Sequence, residues 1–107
     1  MKNILESLAL DFEWDANKAI SNLQKHGVRF AEAAQAFFDP LAITVFDAEH
    51  SDYEERWHTL GCDAKGRLLL VAHTFQSTGS TSAKIRLISA RPATRREKRL
   101  YADEPRY

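Results

Sequence analysis

Two stretches, Arg67-Leu68-Leu69-Leu70-Val71-Ala72-His73-Thr74-Phe75 and Lys84-Ile85-Arg86-Leu87-Ile88-Ser89-Ala90, decide the fold class. Both are rich in β-branched, aromatic and aliphatic residues, and the segment between them, Gln76 to Ala83, is rich in Ser, Thr and Gly. That combination predicts two strands joined by a longer, mobile loop. Upstream, Ala42 to Phe46 and Glu55 to Leu60 have the same character, and Ala64-Lys65-Gly66 reads as a tight hairpin into the Arg67 strand. Four strands so closely spaced predict an antiparallel meander.

Working towards the N-terminus, the period changes from two to that of a helix. Asp11 to Trp14 alternates as a short strand does, and Asp15 stands where a helix N-cap belongs. Ala16, Ala19, Ile20 and Leu23 then share one helical face, and Gly27 directly after His26 supplies the stop. A second helix, about Ala31 to Phe38, ends at Asp39-Pro40 because proline cannot continue it. Towards the C-terminus, a last helix from Ala93 to Ala102 directs Leu100 and Tyr101 to the core and its arginines outward. The predicted order is β-α-α-β-β-β-β-α, an α+β domain with two N-terminal helices, an antiparallel β-sheet and one C-terminal helix.

A chain of 107 residues has room for one domain, 1–107, with residues 1–10 read as an N-terminal extension. Apolar residues at 44% and charged residues at 28% exclude disordered and collagen-like classes. No apolar run reaches the roughly 18 residues that span a bilayer. The start contains Glu6 and lacks a small-residue cleavage site, so a cytoplasmic location and no membrane partner are expected. Cys62, the single cysteine, has no second thiol for a disulfide or a zinc site and reads as inert. The formal net charge is +0, yet the charges are sorted: Met1 to Asp63 holds 12 acidic and 5 basic residues, whereas Lys84 to Arg99 holds seven basic residues against Glu97 alone. One end is thereby suited to phosphate and the other to something basic.

Three blocks in register carry a resemblance. Phe12-Glu13-Trp14-Asp15, Lys18, Asn22, Lys25-His26-Gly27-Val28, Phe30, Glu32-Ala33 and Phe37 through Asp39-Pro40 form the first. Asp47, His50-Ser51, Glu54, Arg56 and Gly61 form the second. Gly66-Arg67, Ile85-Arg86, Ile88-Ser89-Ala90-Arg91, Ala93-Thr94 and Glu97 through Tyr101 form the third. Over about Phe12 to Tyr101 the chain resembles the BrnT family of toxins from type II toxin–antitoxin systems. The resemblance implies a compact RelE-like fold and metal-independent RNA cleavage that suppresses translation and growth. It also implies neutralisation by a BrnA-type antitoxin in a heterotetramer of two toxins and two antitoxins, with operator DNA bound only through the antitoxin. Gln76 stands where the family is expected to carry arginine, and the loop at 76–83 is longer and more polar than expected.

Cleaving RNA without a metal or cofactor takes a base for the 2′-hydroxyl proton, an acid for the leaving 5′-oxygen and cations for the phosphate. The histidines are His26, His50, His58 and His73, with no spacing that fixes a pair or resembles a zinc site. His26, next to Lys25 at a helix end, is the candidate catalytic histidine; the alternative is a cap on helix carbonyls. His50, before Ser51 in a loop, reads first as a cap on the segment carrying Glu54 and Glu55, with a catalytic role as the alternative; His58 reads as a structural or exposed strand residue, and His73 as a core histidine.

Arginine makes the stronger case, because its planar fork suits phosphate oxygens. Arg67, Arg86 and Arg91 lie at or beside adjacent strands and are expected around one phosphate as catalytic cations; the alternative for Arg67 and Arg86 is pairing with Glu54, Glu55 or Asp47. In RelE-like toxins such a groove lies on the sheet beside the C-terminal helix, where Arg91 and Arg95 fall. Lys25, Arg56, Arg95, Arg96 and Tyr101 complete the candidate substrate-binding set. Against this, Arg56 has Glu54 and Glu55 as ion-pair neighbours, and Tyr101 either stacks on a base or packs the last helix. Glu97 is either a base or the counter-charge of Arg95 or Lys98, and Trp14 and Trp57 read as core. The competing functional classes are a non-catalytic nucleic-acid-binding subunit, or an antitoxin-docking one, using the same basic face.

Overall fold

The computed structural model describes Leu5 and residues 8–105. The elements run β1 (Ala9–Glu13), α1 (Ala16–His26), α2 (Phe30–Gln35) continued by a 3-10 turn at Ala36–Phe38, β2 (Ile43–Phe46), β3 (Trp57–Cys62), β4 (Leu68–His73), β5 (Gln76–Ser77), β6 (Ser82–Pro92) and α3 (Arg95–Asp103). The fold is α+β, with the three helices where the sequence places them. Asp15 caps α1 by accepting from Lys18 N at 2.9 Å, and Gly27 ends it at φ +70° with its N–H on Leu23 O. Both caps match the expected signals.

The sheet order is β1-β6-β4-β3-β2, with β5 also paired to β6. Strands β2, β3, β4 and β6 are antiparallel, but β1 runs parallel to β6, from Ala9 opposite Ser82 to Glu13 opposite Arg86. The expected meander is thus the larger part of a mixed sheet; alternation within a strand fixes which side chains face the core, not the direction of its partner. The segment 76–83 also departs from expectation. It is a hairpin, with Gln76 opposite Lys84, Ser77 opposite Ala83 and Thr78 N–H bonded to Ser82 O at 3.1 Å. Residues 1–10 are not wholly an extension: of those described, Leu5 is buried in the core and β1 begins at Ala9.

Register divides the sheet into two faces. Leu69, Val71 and His73 of β4 and Ile85 and Leu87 of β6 are buried against Val28, Phe30, Ala33 and Phe37, which come from α2, the connection before it and the 3-10 turn after it. The other parity, including Leu60 and Cys62, lies on the face where α3 packs, with Cys62 Sγ 3.8 Å from Tyr101 Oη. Gly61 is required where β3 passes under the 3-10 turn: an added Cβ would lie 2.5 Å from Ala36 O. Asn22, 6% exposed, guards β6 beyond the end of β1; its amide donates to Ala90 O and Val28 O and accepts from Ala90 N–H.

His73 is a core histidine, as expected. Its ring stands edge-on to Phe37, Nε2 meets Thr59 Oγ1 at 2.7 Å and Nδ1 meets Thr74 O at 2.8 Å. Burial pushes its pKa down to about 4, so the ring is neutral. Burial also pushes the Cys62 thiol up, which leaves it protonated and unreactive. Trp14 packs edge-on to Phe30 with 40% of its surface exposed, so it borders the core rather than filling it. Among the described residues, no helix is long and apolar enough to cross a membrane.

Candidate active site

The connection from β2 to β3 builds a cluster of titratable groups. Asp47 N–H bonds to Arg56 O at 2.8 Å, extending the hairpin by one pair, and Ser51 Oγ donates to Asp47 O while accepting from Arg56 N–H. Between these pins, a 3-10 turn at Ala48–His50 carries His50 back over Asp47, with Nδ1 2.9 Å from Oδ2. From the other strand, His58 brings Nε2 to 3.2 Å from the same oxygen. The carboxyl of Asp47 is 9% exposed. Burial alone would raise its pKa, but the hydrogen bond from His50 and the charges of His58 and His50 hold it below the usual carboxylate range. An ionised Asp47 accepts a proton-bearing nitrogen from each ring, so it fixes His50 with Nδ1–H and His58 with Nε2–H. On a ring without its second proton, the other nitrogen is left as an acceptor.

Next to this trio, Glu54 Oε1 accepts from Arg86 Nη2 at 2.5 Å and lies 3.6 Å from Arg56 Nη2. The hydrogen bond from Arg86 holds Glu54 below its ordinary pKa against the opposing effect of burial. Alternation places Arg56 and His58 on the same face of the sheet as Cys62, the face opposite α1 and α2. Glu49, His50, Asp52, Tyr53, Glu54 and Arg56 line a shallow open cleft of about 330 Å³ beside the trio.

The three strand arginines do not meet. Arg67 points to the α1 and α2 side, bonding Gly27 O at 3.2 Å and pairing with Glu32 and Asp63 at 3.3 Å each. Arg91 faces the other way and forms a two-pronged pair with Glu97 of α3 at 2.8 and 2.9 Å. Arg86 and Arg91 are five positions apart on β6, roughly 16 Å at strand rise. The expectation that one phosphate touches all three therefore fails, because each guanidinium has its own carboxylate and the sheet separates Arg67 from the others. Glu97 balances Arg91 rather than Arg95 or Lys98, and its pKa falls to about 2, first through the Arg91 hydrogen bonds and further through Thr94 N–H.

The rest of the candidate set is spread over the surface. His26 is half-buried and Lys25 exposed at the end of α1, across the sheet from Asp47. Arg95 and Arg96 are exposed on α3. Tyr101 donates to Asp39 Oδ2 at 2.6 Å and so ties α3 to the turn after α2; burial, and then this hydrogen bond, raise its pKa far above the ordinary phenol value. Of the expected residues, only Arg56 and Arg86 fall in the Asp47 cluster. The residues that complete it, Asp47, His50, His58 and Glu54, read in the sequence chiefly as caps, strand residues and counter-charges. Two signals point to them: the three-residue spacing of Asp47 and His50, and the shared parity of Arg56 and His58.

Residues 14–97 match the family described as ribonuclease toxin, BrnT, of type II toxin–antitoxin system. Among curated proteins no sequence matches. A solved structure similar to this one is the Brucella abortus ribonuclease toxin BrnT, with 22% identity, a TM-score of 0.52, and coverage of 81% of this chain and 99% of that one. That likeness concerns the fold, whereas the family match spans well over half of the sequence from the end of β1 into α3. The chain belongs to the BrnT family of ribonuclease toxins of type II toxin–antitoxin systems.

Proposed function

We propose that this chain is a metal-independent endoribonuclease whose acid–base pair is His50 and His58, held by Asp47, with Arg86 and Arg56 as phosphate cations. The observation that carries this reading is the shared carboxylate: one Asp47 oxygen within 2.9 Å of His50 and 3.2 Å of His58. One neutral ring takes the 2′-hydroxyl proton as the 2′-oxygen attacks phosphorus. The other, protonated and stabilised by Asp47, gives its proton to the 5′-oxygen as the P–O5′ bond breaks, leaving a 2′,3′-cyclic phosphate and a 5′-hydroxyl. Arg86 offsets the charge that gathers on the phosphoryl oxygens. Arg95 and Arg96, exposed on α3, supply the RNA-attracting field. His26, Arg67 and Arg91 take no part in this chemistry: Arg67 is held by Glu32 and Asp63, Arg91 by Glu97, and His26 lies across the sheet from Asp47.

In the cell, cleavage of RNA would suppress translation and growth in the cytoplasm. A BrnA-type antitoxin would neutralise it in an assembly of two toxins and two antitoxins that reaches operator DNA through the antitoxin alone. The test is digestion of RNA by purified protein in EDTA, with growth followed on induction with and without the neighbouring gene. We expect EDTA-resistant cleavage that falls by about 10²–10⁴ in kcat for His50→Gln and for His58→Gln, with His26→Gln close to the parent. Intact RNA from the parent protein, or full activity in both histidine variants, would overturn the assignment.

A further inference from the structure

We propose that Arg56 and Arg86 form a subsite for one backbone phosphodiester of single-stranded RNA, and that Glu54 occupies that subsite in the free protein and must withdraw for RNA to bind. The proposal rests on the reading of the chain as an RNA-cleaving toxin. Its first support is an imbalance of donors. Two guanidinium groups share one carboxylate, so the trio carries a net positive charge. Among the described residues, Arg56 is the less well matched of the two: its Nη2 stands 3.6 Å from Glu54, long for a hydrogen bond, and its Nε has no acceptor. A phosphodiester presents two charged oxygens where the carboxylate presents one to Arg86 and none within bonding distance of Arg56.

The second support is where Glu54 is carried. The loop is pinned at its ends through Ser51 Oγ and the Asp47–Arg56 backbone bond, while Tyr53 is wholly exposed. Among the described residues, 52–55 are joined to the rest of the protein by the Glu54 side chain and by no backbone hydrogen bond. The carboxylate is thus free to leave without unpairing either strand. Exposure points the same way, since Arg86, Glu54 and Arg56 are 39, 38 and 34% exposed, and ion pairs that open to water hold little net energy. With Glu54 in place, the cleft border also carries Glu49 and Asp52 and is a poor place for a phosphate. Withdrawal of Glu54 leaves two adjacent guanidinium groups beside the His50–Asp47–His58 trio.

The test is binding of a fluorescent single-stranded oligonucleotide with 2′-O-methyl sugars, which lacks the attacking hydroxyl and so reports affinity whether or not the protein cleaves. Glu54→Gln is expected to bind 5- to 10-fold tighter than the parent, and Glu54→Ala likewise. Parent and Glu54→Gln neutralise the same phosphate once RNA is bound, so the slope of log K against log salt should be alike in the two and should flatten by about 0.7, the increment for one phosphate on a single strand, when Arg56 and Arg86 are replaced. Glu55→Gln removes the same charge one residue away, outside the trio, and is expected to change affinity less than 2-fold. Adding Arg56→Gln and Arg86→Gln to Glu54→Gln should abolish the gain. Equal gains from Glu54→Gln and Glu55→Gln, no gain from either Glu54 variant, or a gain that survives loss of both arginines would overturn the subsite. RNA left intact by the parent protein with and without added divalent metal, while the Glu54 effect persists, would sink the ribonuclease reading and leave the subsite standing.

Discussion

Replacing Asn22 by alanine should cost more than any exposed substitution on α1, because this one side chain completes the sheet. Its amide makes three hydrogen bonds of 2.8 to 3.0 Å, two with Ala90 and one with Val28 O. All three residues are buried. Truncation leaves three backbone groups without partners, each worth about 1–3 kcal/mol when orphaned. Water entering the vacated space recovers part of that, so a loss of about 4 kcal/mol is expected. Against a total stability of about 5–15 kcal/mol, this lowers Tm by roughly 15 °C. Asn22→Asp keeps the acceptor for Ala90 N–H but turns the donor into a charged oxygen facing two carbonyls, and should be at least as damaging at neutral pH. Gln24→Ala, exposed on the same helix, should fall within about 0.5 kcal/mol of the parent. Thermal and urea denaturation followed by circular dichroism give the numbers. An Asn22→Ala protein within about 1 kcal/mol of the parent would refute the idea that Asn22 stands in for a missing strand.

Gly61→Ala drives a Cβ to 2.5 Å from Ala36 O and 3.1 Å from Ala42 Cβ, where backbone cannot yield. It should lower the urea midpoint by an amount equivalent to about 2–3 kcal/mol, and an unchanged midpoint would show that β3 slides away from the 3-10 turn. Acid should weaken the α3 anchor. Glu97 sits 19% exposed with its pKa depressed to about 2, so its contribution is complete above the unfolded value near 4.5 and is lost as pH falls towards the folded one. The stability gap between the parent and Glu97→Gln should shrink by about 2 kcal/mol from pH 6 to pH 3; a gap independent of pH would mean that the Arg91 pair contributes no net charge stabilisation.

What was legible in the sequence is what short-range physics writes there. Asp15 and Gly27 bracket α1 because a cap needs a side-chain acceptor at one end and a left-handed residue at the other. His73 could be placed in the core from its apolar neighbours alone. The parallel pairing of β1 to β6 was not legible, since nothing in Asp11 to Trp14 encodes its partner. Asn22 was visible as part of a recurring phrase, but its bonds reach 68 positions along the chain to Ala90 and carry no local signal. The Asp47 cluster was hidden for the same reason. His50 and His58 converge because Asp47 stands opposite Arg56 across a hairpin whose register only the folded chain reveals.

Charge sorting survives folding in a different form from the one the sequence suggests. The strand arginines are each matched: Arg67 by Asp63 and Glu32, Arg86 by Glu54, Arg91 by Glu97. Arg95, Arg96, Lys98 and Arg99 are exposed on α3 and make no ion pair among the described residues. The basic end thus divides into a neutralised group that holds the sheet to its neighbours and an unpaired group that projects a field into solvent. RNA attracted to α3 would meet the histidine trio only after crossing the face of the sheet to the β2–β3 end. On the proposed reading, encounter and chemistry fall to different residues: reversing charges on α3 should act on the salt dependence of binding, whereas changes at Asp47, His50 and His58 should act on turnover.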